Sequence, residues 1–370
     1  MIDLIQKSDC TGCKMCADLC PASAITFPVD ERGFWYPAVD HEKCLQCGSC
    51  IRTCPSLSGF KTDKAFPAVY AAWSKDDEIR MKSTSGGLFY HLAESCISRG
   101  GFLAGCRYTE GYKGACHRIS SKEEDLKAMM GSKYVQSETA GIYQQVRSML
   151  EEGNEVLFSG TPCQCAGLQS FLGERYPKLF TVDFICKGIN SPLIYERYLS
   201  ELEDRYGASV RSVHMKSKRT GWRSLGIEVE FQDGQEYFKE GKEDLWVRGY
   251  VEGNLFTRDS CSNCRYKELP RISDITLGDF WGVRWVRKED LFKGVSLMLI
   301  NSPKGGELLR RIMPEIHYHK RSLKAAIMEN PFLFRNDDKK NESELFFKRL
   351  ESMKVSEAIE SCLDQGREPR

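Results

Sequence analysis

One phrase of cysteines is written twice in the first 54 residues. It runs Cys10-x2-Cys13-x2-Cys16-x3-Cys20-Pro21, then Cys44-x2-Cys47-x2-Cys50-x3-Cys54-Pro55. Two-residue gaps turn the backbone so that three thiolates converge on three irons of one cubane, while the fourth cysteine, before its proline, reaches the other. The spacing therefore pairs Cys10, Cys13 and Cys16 with Cys54 on one [4Fe–4S] centre, and Cys44, Cys47 and Cys50 with Cys20 on a second. Thiolates are soft ligands that suit iron–sulfur clusters and zinc alike. Zinc has no use for a crossed arrangement of threes with a trailing Cys-Pro, so the phrase points to electron transfer.

This compact ferredoxin-like unit fills residues 1–58. Between its halves, 24–27 and 34–37 read as short strands around the turn Asp30-Glu31-Arg32-Gly33. Residues 56–64 are polar and rich in turn formers, as a linker would be. The 370 residues leave room for two or three domains. A balance of 53 basic against 52 acidic side chains demands no nucleic-acid face. No apolar run approaches the length of a membrane span. Seventeen cysteines could frame a secreted disulfide scaffold, but the odd count, the length and the lack of an export signal argue for a reducing, cytoplasmic setting.

Beyond the linker, strands and helices alternate: strands at 68–74, 102–108, 155–159 and 179–186, helices at 85–99, 138–152, 163–176 and 191–206. Ser121-x-x-Glu124 reads as a capping box for a helix reaching residue 130. Residues 210–251 turn antiparallel, with a hairpin at Asp233-Gly234, and 295–300 is a buried strand. The pattern predicts an α/β domain with a mixed sheet over 66–335, then a helical tail over 336–370.

A third cysteine set stands in this domain. Cys163 follows Gly160-Thr161-Pro162 at one strand end, and Cys186 ends the next strand. Open α/β sheets build sites at the carboxyl ends of their strands, so both thiols can face one point, and Cys261-x2-Cys264 would complete a four-thiol cage. Spacing alone leaves this either a structural zinc site or a cluster.

Several segments resemble the β-subunit family of coenzyme F420 hydrogenases and dehydrogenases: Ser83-Thr84-Ser85-Gly86-Gly87, Gly131-Ser132-Lys133-Tyr134-Val135-Gln136-Ser137, Leu157-Phe158-Ser159-Gly160-Thr161-Pro162-Cys163-Gln164, and 273–282. The resemblance runs over about 66–310. It implies FAD and a [4Fe–4S] centre in this domain, with Cys163, Cys186, Cys261 and Cys264 as the cluster ligands, and electrons passed to a hydride partner, the deazaflavin coenzyme F420 or another small molecule. A relay subunit without a substrate of its own is the alternative. A redox protein such as ferredoxin is the expected electron partner. Many relatives carry His after the second of these cysteines; here it is Lys187, a charge that would raise the potential of a neighbouring cluster.

For the flavin, Ser85-Gly86-Gly87 would open a helix whose free amides welcome a pyrophosphate, or serve as an ordinary N-cap. Ser132, Lys133 and Tyr134 offer a hydroxyl, a cation and an aromatic ring in one loop, and Gly160, Thr161 and Pro162 are further candidate contacts; Lys133 could equally be a solvated lysine. No Gly-x-Gly-x-x-Gly fingerprint is present. Cys96, Cys106, Cys116, Cys165 and Cys362 read as core thiols, and His317-x-His319 as surface. Trp222, Trp281 and Trp285 could line a substrate face or pack the core, and Arg219 to Arg223 could meet an anion.

Overall fold

The computed structural model describes residues 1–59, 66–173, 176–284, 286–336 and 342–364. Most of the expected linker and Trp285 fall outside them. In the N-terminal unit, helices α1 (Met15–Leu19) and α2 (Ser49–Arg52) follow the two cysteine loops, and β1 (Ile25–Thr26) pairs antiparallel with β2 (Ala38–Val39). The second strand thus lies beyond the 34–37 segment. Trp35 is buried instead, its indole N–H donating to Gly12 O at 3.0 Å. The repeat extends to the backbone. Gly12 and Gln46, before the second cysteine of each loop, and Lys14 and Gly48, after it, all have positive φ. Such left-handed turns aim successive amides inward, a cradle for negative charge.

The larger domain begins with β3 (Ala68–Ser74), α3 (Asp77–Lys82), α4 (Leu88–Ile97), β4 (Phe102–Tyr108), β5 (Ala115–Ser120), α5 (Glu123–Met129) and β6 (Ser137–Glu138). It continues through α6 (Ile142–Glu151), β7 (Val156–Ser159), α7 (Pro162–Leu172), β8 (Leu179–Phe184) and α8 (Pro192–Tyr206). An antiparallel β9 (Val210–Ser217), β10 (Gly226–Phe231) and β11 (Glu236–Glu240) follow, then α9 (Leu245–Val251). β12 (Ile275–Asp279), α10 (Lys288–Lys293), β13 (Ser296–Ile300), α11 (Pro303–Ile312), β14 (Ile316–Arg321), α12 (Leu323–Met328), α13 (Glu342–Arg349) and α14 (Val355–Asp364) complete the described residues.

Nine strands form one mixed sheet in the order β14-β3-β13-β12-β8-β7-β4-β5-β6. Its centre, β12, β8, β7 and β4, is parallel. These strands are covered on both faces, which is why β7 reads Val-Leu-Phe without alternation. Thr161 caps α7 in a reciprocal box with Gln164, and Pro162 occupies its first turn. The expected Ser121 box is not made. α5 starts from Lys122, and Ser120 Oγ accepts the Lys122 amide while donating to Asp125. The C-terminal helices share a core with α8 and α9, bringing Phe346 and Ile359 against Trp246 and Phe256.

The N-terminal unit is clamped to this domain by specific polar contacts. Asp18 accepts the Gly141 amide at 2.7 Å and the Tyr143 amide at 3.1 Å, capping α6 from outside its own segment. Thr139 donates to Cys13 O, and Ser191 to Arg32 O. Arg258, fully buried, donates to Cys10 O, Trp35 O and Gln136 Oε1.

Candidate functional site

Parallel β7 and β8 are neighbours, so the residues after them emerge side by side. Cys163 opens α7 and Cys186 lies two residues past β8, as the strand-end argument expects. The loop after α9 brings Cys261 and Cys264 to them; Cys163 has all three other thiols as electrostatic neighbours. The Ile189 amide donates to Cys261 Sγ at 3.4 Å, and Thr161 Oγ1 lies 3.1 Å from Cys163 Sγ.

In the N-terminal unit, Cys10, Cys13, Cys16 and Cys54 converge across the repeat. Cys16 has Cys13, Cys10 and Cys54 as electrostatic neighbours, followed by Cys50 of the second set. Of the second set, Cys20 and Cys50 share the surrounding apolar core, Cys44 lies 3.4 Å from Met1 Sδ, and Cys47 is exposed at the rim.

Burial pushes Cys13 up to about 12, with Cys54 and Cys10 adding repulsion, and pushes Cys186 up to about 12, with Cys261 adding to it. Thiolates crowded this way need a cationic centre to hold their charge, and ligation releases their protons. Among the described residues, no three His, Cys, Asp or Glu side chains close up as the ligands of a single ion would. Three buried cations face these thiols, of which Arg271, beside Cys264, pairs with Asp183 at 3.3 Å. Arg258 lies by Cys261 as well as Cys10. Lys267 neighbours Cys186, Cys261 and Cys264; it donates to Lys187 O at 2.7 Å, and no carboxylate pairs with it among the described residues. Lys187, the charge next to Cys186 in the sequence, donates to Tyr250 O at 3.1 Å and lies over the Tyr250 ring. The lysine beside the thiols is therefore Lys267, not Lys187, and its only signal in the sequence is its place three residues after Cys264.

Cys186 also lines a cavity of about 620 Å³, within the range of small-molecule and cofactor sites. Ser85, Gly87, Ser132, Lys133, Tyr134, Gly160 and Thr161 form part of its wall, which Gly86 and Pro162 do not join. The Gly86 amide is spent on Ser296 Oγ at 2.8 Å, so it is not the free donor expected for a pyrophosphate. α4 begins only at Leu88, with Gly87 as its left-handed N-cap. Ser85 Oγ, by contrast, is buried without a partner among the described residues, and an orphaned hydroxyl on a cavity wall suits a bound polar group.

Lys133 Nζ donates to Met130 O at 2.6 Å and to Ala128 O and Gly131 O, closing the end of α5, and burial pushes it down to about 8. Lys216 pairs with Asp279 at 2.5 Å. Trp281 lines the cavity and stacks at 4.8 Å on Trp222, which is wholly buried packing. Arg219 pairs with Glu236 at the surface, and His317 and His319 lie exposed against Trp73. Cys96, Cys116, Cys165 and Cys362 are buried core thiols, and Cys106 reaches the cavity wall.

A hydrogen-bonded chain missed in the sequence joins cavity to thiols. His117 Nδ1 meets Ser137 Oγ at 3.1 Å, Gln164 Nε2 donates to Ser137 Oγ at 2.9 Å, and Gln164 Oε1 accepts the Thr161 hydroxyl, which lies against Cys163. Its members come from β5, β6 and α7, and no local spacing links them.

Comparison with known proteins agrees with both halves. Residues 9–57 match the 4Fe-4S dicluster domain, and residues 153–325 match the C terminus of the coenzyme F420 hydrogenase/dehydrogenase beta subunit. Over 43 residues the chain is 42% identical to the ferredoxin-type protein NapF of Haemophilus influenzae, covering 12% of this chain and 24% of NapF. Over 60 residues it is 30% identical to the ketoisovalerate oxidoreductase subunit VorC of Methanothermobacter marburgensis, covering 16% of this chain and 76% of that one. A chain of the F420-reducing [NiFe] hydrogenase complex from Methanosarcina barkeri aligns over 81% of this chain and 91% of its own, at 16% identity and a TM-score of 0.48. No helix among the described residues is long and apolar enough to cross a membrane. The chain thus joins a 4Fe-4S dicluster domain at residues 9–57 to a domain, at residues 153–325, that belongs to the coenzyme F420 hydrogenase/dehydrogenase beta-subunit family.

Proposed function

We propose that the chain is an iron–sulfur flavoprotein oxidoreductase in which electrons pass between the N-terminal centres and an FAD in the cavity, with hydride exchange there to coenzyme F420 or another small organic partner. The observation that carries this reading is the double position of Cys186, in the third thiol set and on the cavity wall. Cys10, Cys13, Cys16 and Cys54 would hold the first centre, Cys44, Cys47, Cys50 and Cys20 the second, and Cys163, Cys186, Cys261 and Cys264 the third. The buried cations Arg258 and Lys267 fit this assignment, because thiolate-bound clusters are anionic and charge near them sets potential. Ser85, Ser132, Lys133, Tyr134, Gly160 and Thr161 would hold the flavin. When bound, clusters carry single electrons and flavin exchanges a pair. The chain's own residues fix the separation, close off water and supply charge. Exposed Cys47 makes the second centre the docking point for a redox protein such as ferredoxin.

A relay subunit of a larger assembly is the second reading, favoured by the beta-subunit match and by the subunit status of VorC. Anaerobic purification followed by counts of iron, labile sulfide, zinc and flavin separates the two. About twelve irons, from three four-iron centres, with one FAD support the oxidoreductase. Full iron without flavin leaves the relay. About eight irons with one zinc would make the third set structural and refute the proposed path.

A further inference from the structure

The first and third thiol sets meet on one face of α7. Cys163 and Gly167 lie four residues apart, about one helical turn, and so share that face. A Cβ on Gly167 would come within 3.3 Å of Cys13 Sγ and 3.1 Å of Tyr143 Oη. The missing side chain thus lets the first cysteine loop and a phenol from α6 rest together on the α7 backbone. Tyr143 is wholly buried, and its charged neighbours are Cys13, then Cys163, Asp18 and Cys165.

Its hydroxyl has no hydrogen-bond partner among the described residues. Leaving a buried O–H unpaired is costly, and phenylalanine would fill the same space without that cost. Asp18, the one carboxylate among its electrostatic neighbours, turns its oxygens to the Gly141 and Tyr143 amides and does not bond the phenol. The other neighbours are the sulfurs of Cys13, Cys163 and Cys165. If the cysteines hold clusters as proposed above, a sulfur framework fills the space between the thiols that Tyr143 faces.

We propose that Tyr143 Oη donates a hydrogen bond to the sulfur framework of the centre held by Cys10, Cys13, Cys16 and Cys54, and so sets that centre's potential at the crossing toward Cys163. The inference rests on the cluster reading of these cysteines. Tyr143 acts as a tuning residue: a donor to sulfur stabilises the framework more as it gains negative charge, which raises the reduction potential.

The test is a redox titration of the full chain, assembled without oxygen and followed by electron paramagnetic resonance, for wild type, Tyr143→Phe and Gly167→Ala. Tyr143→Phe should keep its full iron and lower the potential of one centre, shifting its one-electron equilibrium about tenfold, or about 59 mV. An exchangeable proton coupled to that centre should vanish from its electron–nuclear double-resonance spectrum. Gly167→Ala keeps the hydroxyl but forces it or Cys13 aside, at a helical position where alanine is favourable, and should lower the same centre. Full iron with unmoved potentials in both variants overturns the role of Tyr143 while leaving the clusters intact. Wild-type protein lacking a four-iron centre at these cysteines overturns both readings together.

Discussion

His117 should make folding stability depend on pH in a window where few other groups titrate. The ring is 2% exposed on β5. Its Nε2 stands 3.1 Å from Ser159 O, which can only accept, so the proton sits on Nε2 and Nδ1 accepts from Ser137. A second proton on Nδ1 would oppose that arrangement inside a dry wall. Burial accordingly pushes the group from 6.5 down to about 4, with the Lys133 charge helping and the Ser159 carbonyl opposing. Between those values the unfolded chain holds a proton that the folded chain refuses, so stability rises with pH through the window and is lost as pH falls from 6.5 toward 4. From pH 7.5 to 5.5 the loss from this one group works out at about 1.4 kcal/mol. Urea unfolding of wild type and His117→Gln at both pH values, without oxygen, isolates it, because acid effects on the clusters enter both proteins and cancel in the difference. His117→Gln should lose about 1.4 kcal/mol less than wild type over that step. Parallel losses, or a larger loss in the variant, would refute the buried neutral imidazole.

Two substitutions test the packing that frames the site. In Gly86→Ala the new Cβ would stand 2.5 Å from Ala72 O and 2.9 Å from Ser296 N, both backbone atoms in adjacent strands of the sheet; overpacking should cost about 2–3 kcal/mol, read as a lower urea midpoint. Arg258→Met strips partners from Cys10 O, Trp35 O and Gln136 Oε1; it should cost at least about 3 kcal/mol and make the N-terminal unit the first region cut in limited proteolysis.

What could be read from the sequence was what short-range chemistry dictates. The crossed cysteine phrase encodes its own loop geometry, and the left-handed residues at matched places in both loops repeat it. Cys163 and Cys186 were brought together by a rule about strand ends that needs only the order of elements. The Asp233-Gly234 hairpin and the Thr161-Pro162 helix start are likewise local. The misses share a different cause. Phe34 and Trp35 look like strand residues, but both are buried, Phe34 beneath the Arg258 guanidinium and Trp35 bonded to the first cysteine loop at Gly12. β5 hides because Cys116, His117 and Arg118 break the apolar pattern that marks a strand. Lys187 departs from a motif, yet side-chain direction decides which cation meets the thiols, and a sequence does not give direction. Tyr143 and Cys13 meet across 130 positions through a glycine on a third segment, which no spacing reveals.

The cap that Asp18 places on α6 has a consequence for how the chain must mature. Asp18 belongs to a segment synthesised well before residue 141, so its carboxylate waits for the helix it will start. Until then α6 lacks its N-terminal acceptor and Tyr143 its place. The two cysteine-rich halves are thus tied across their boundary in sequence by this cap. Loading metal into the first loops should hasten closure of a helix more than a hundred residues away, and cutting the halves apart should leave two partners that fold fully only when they meet.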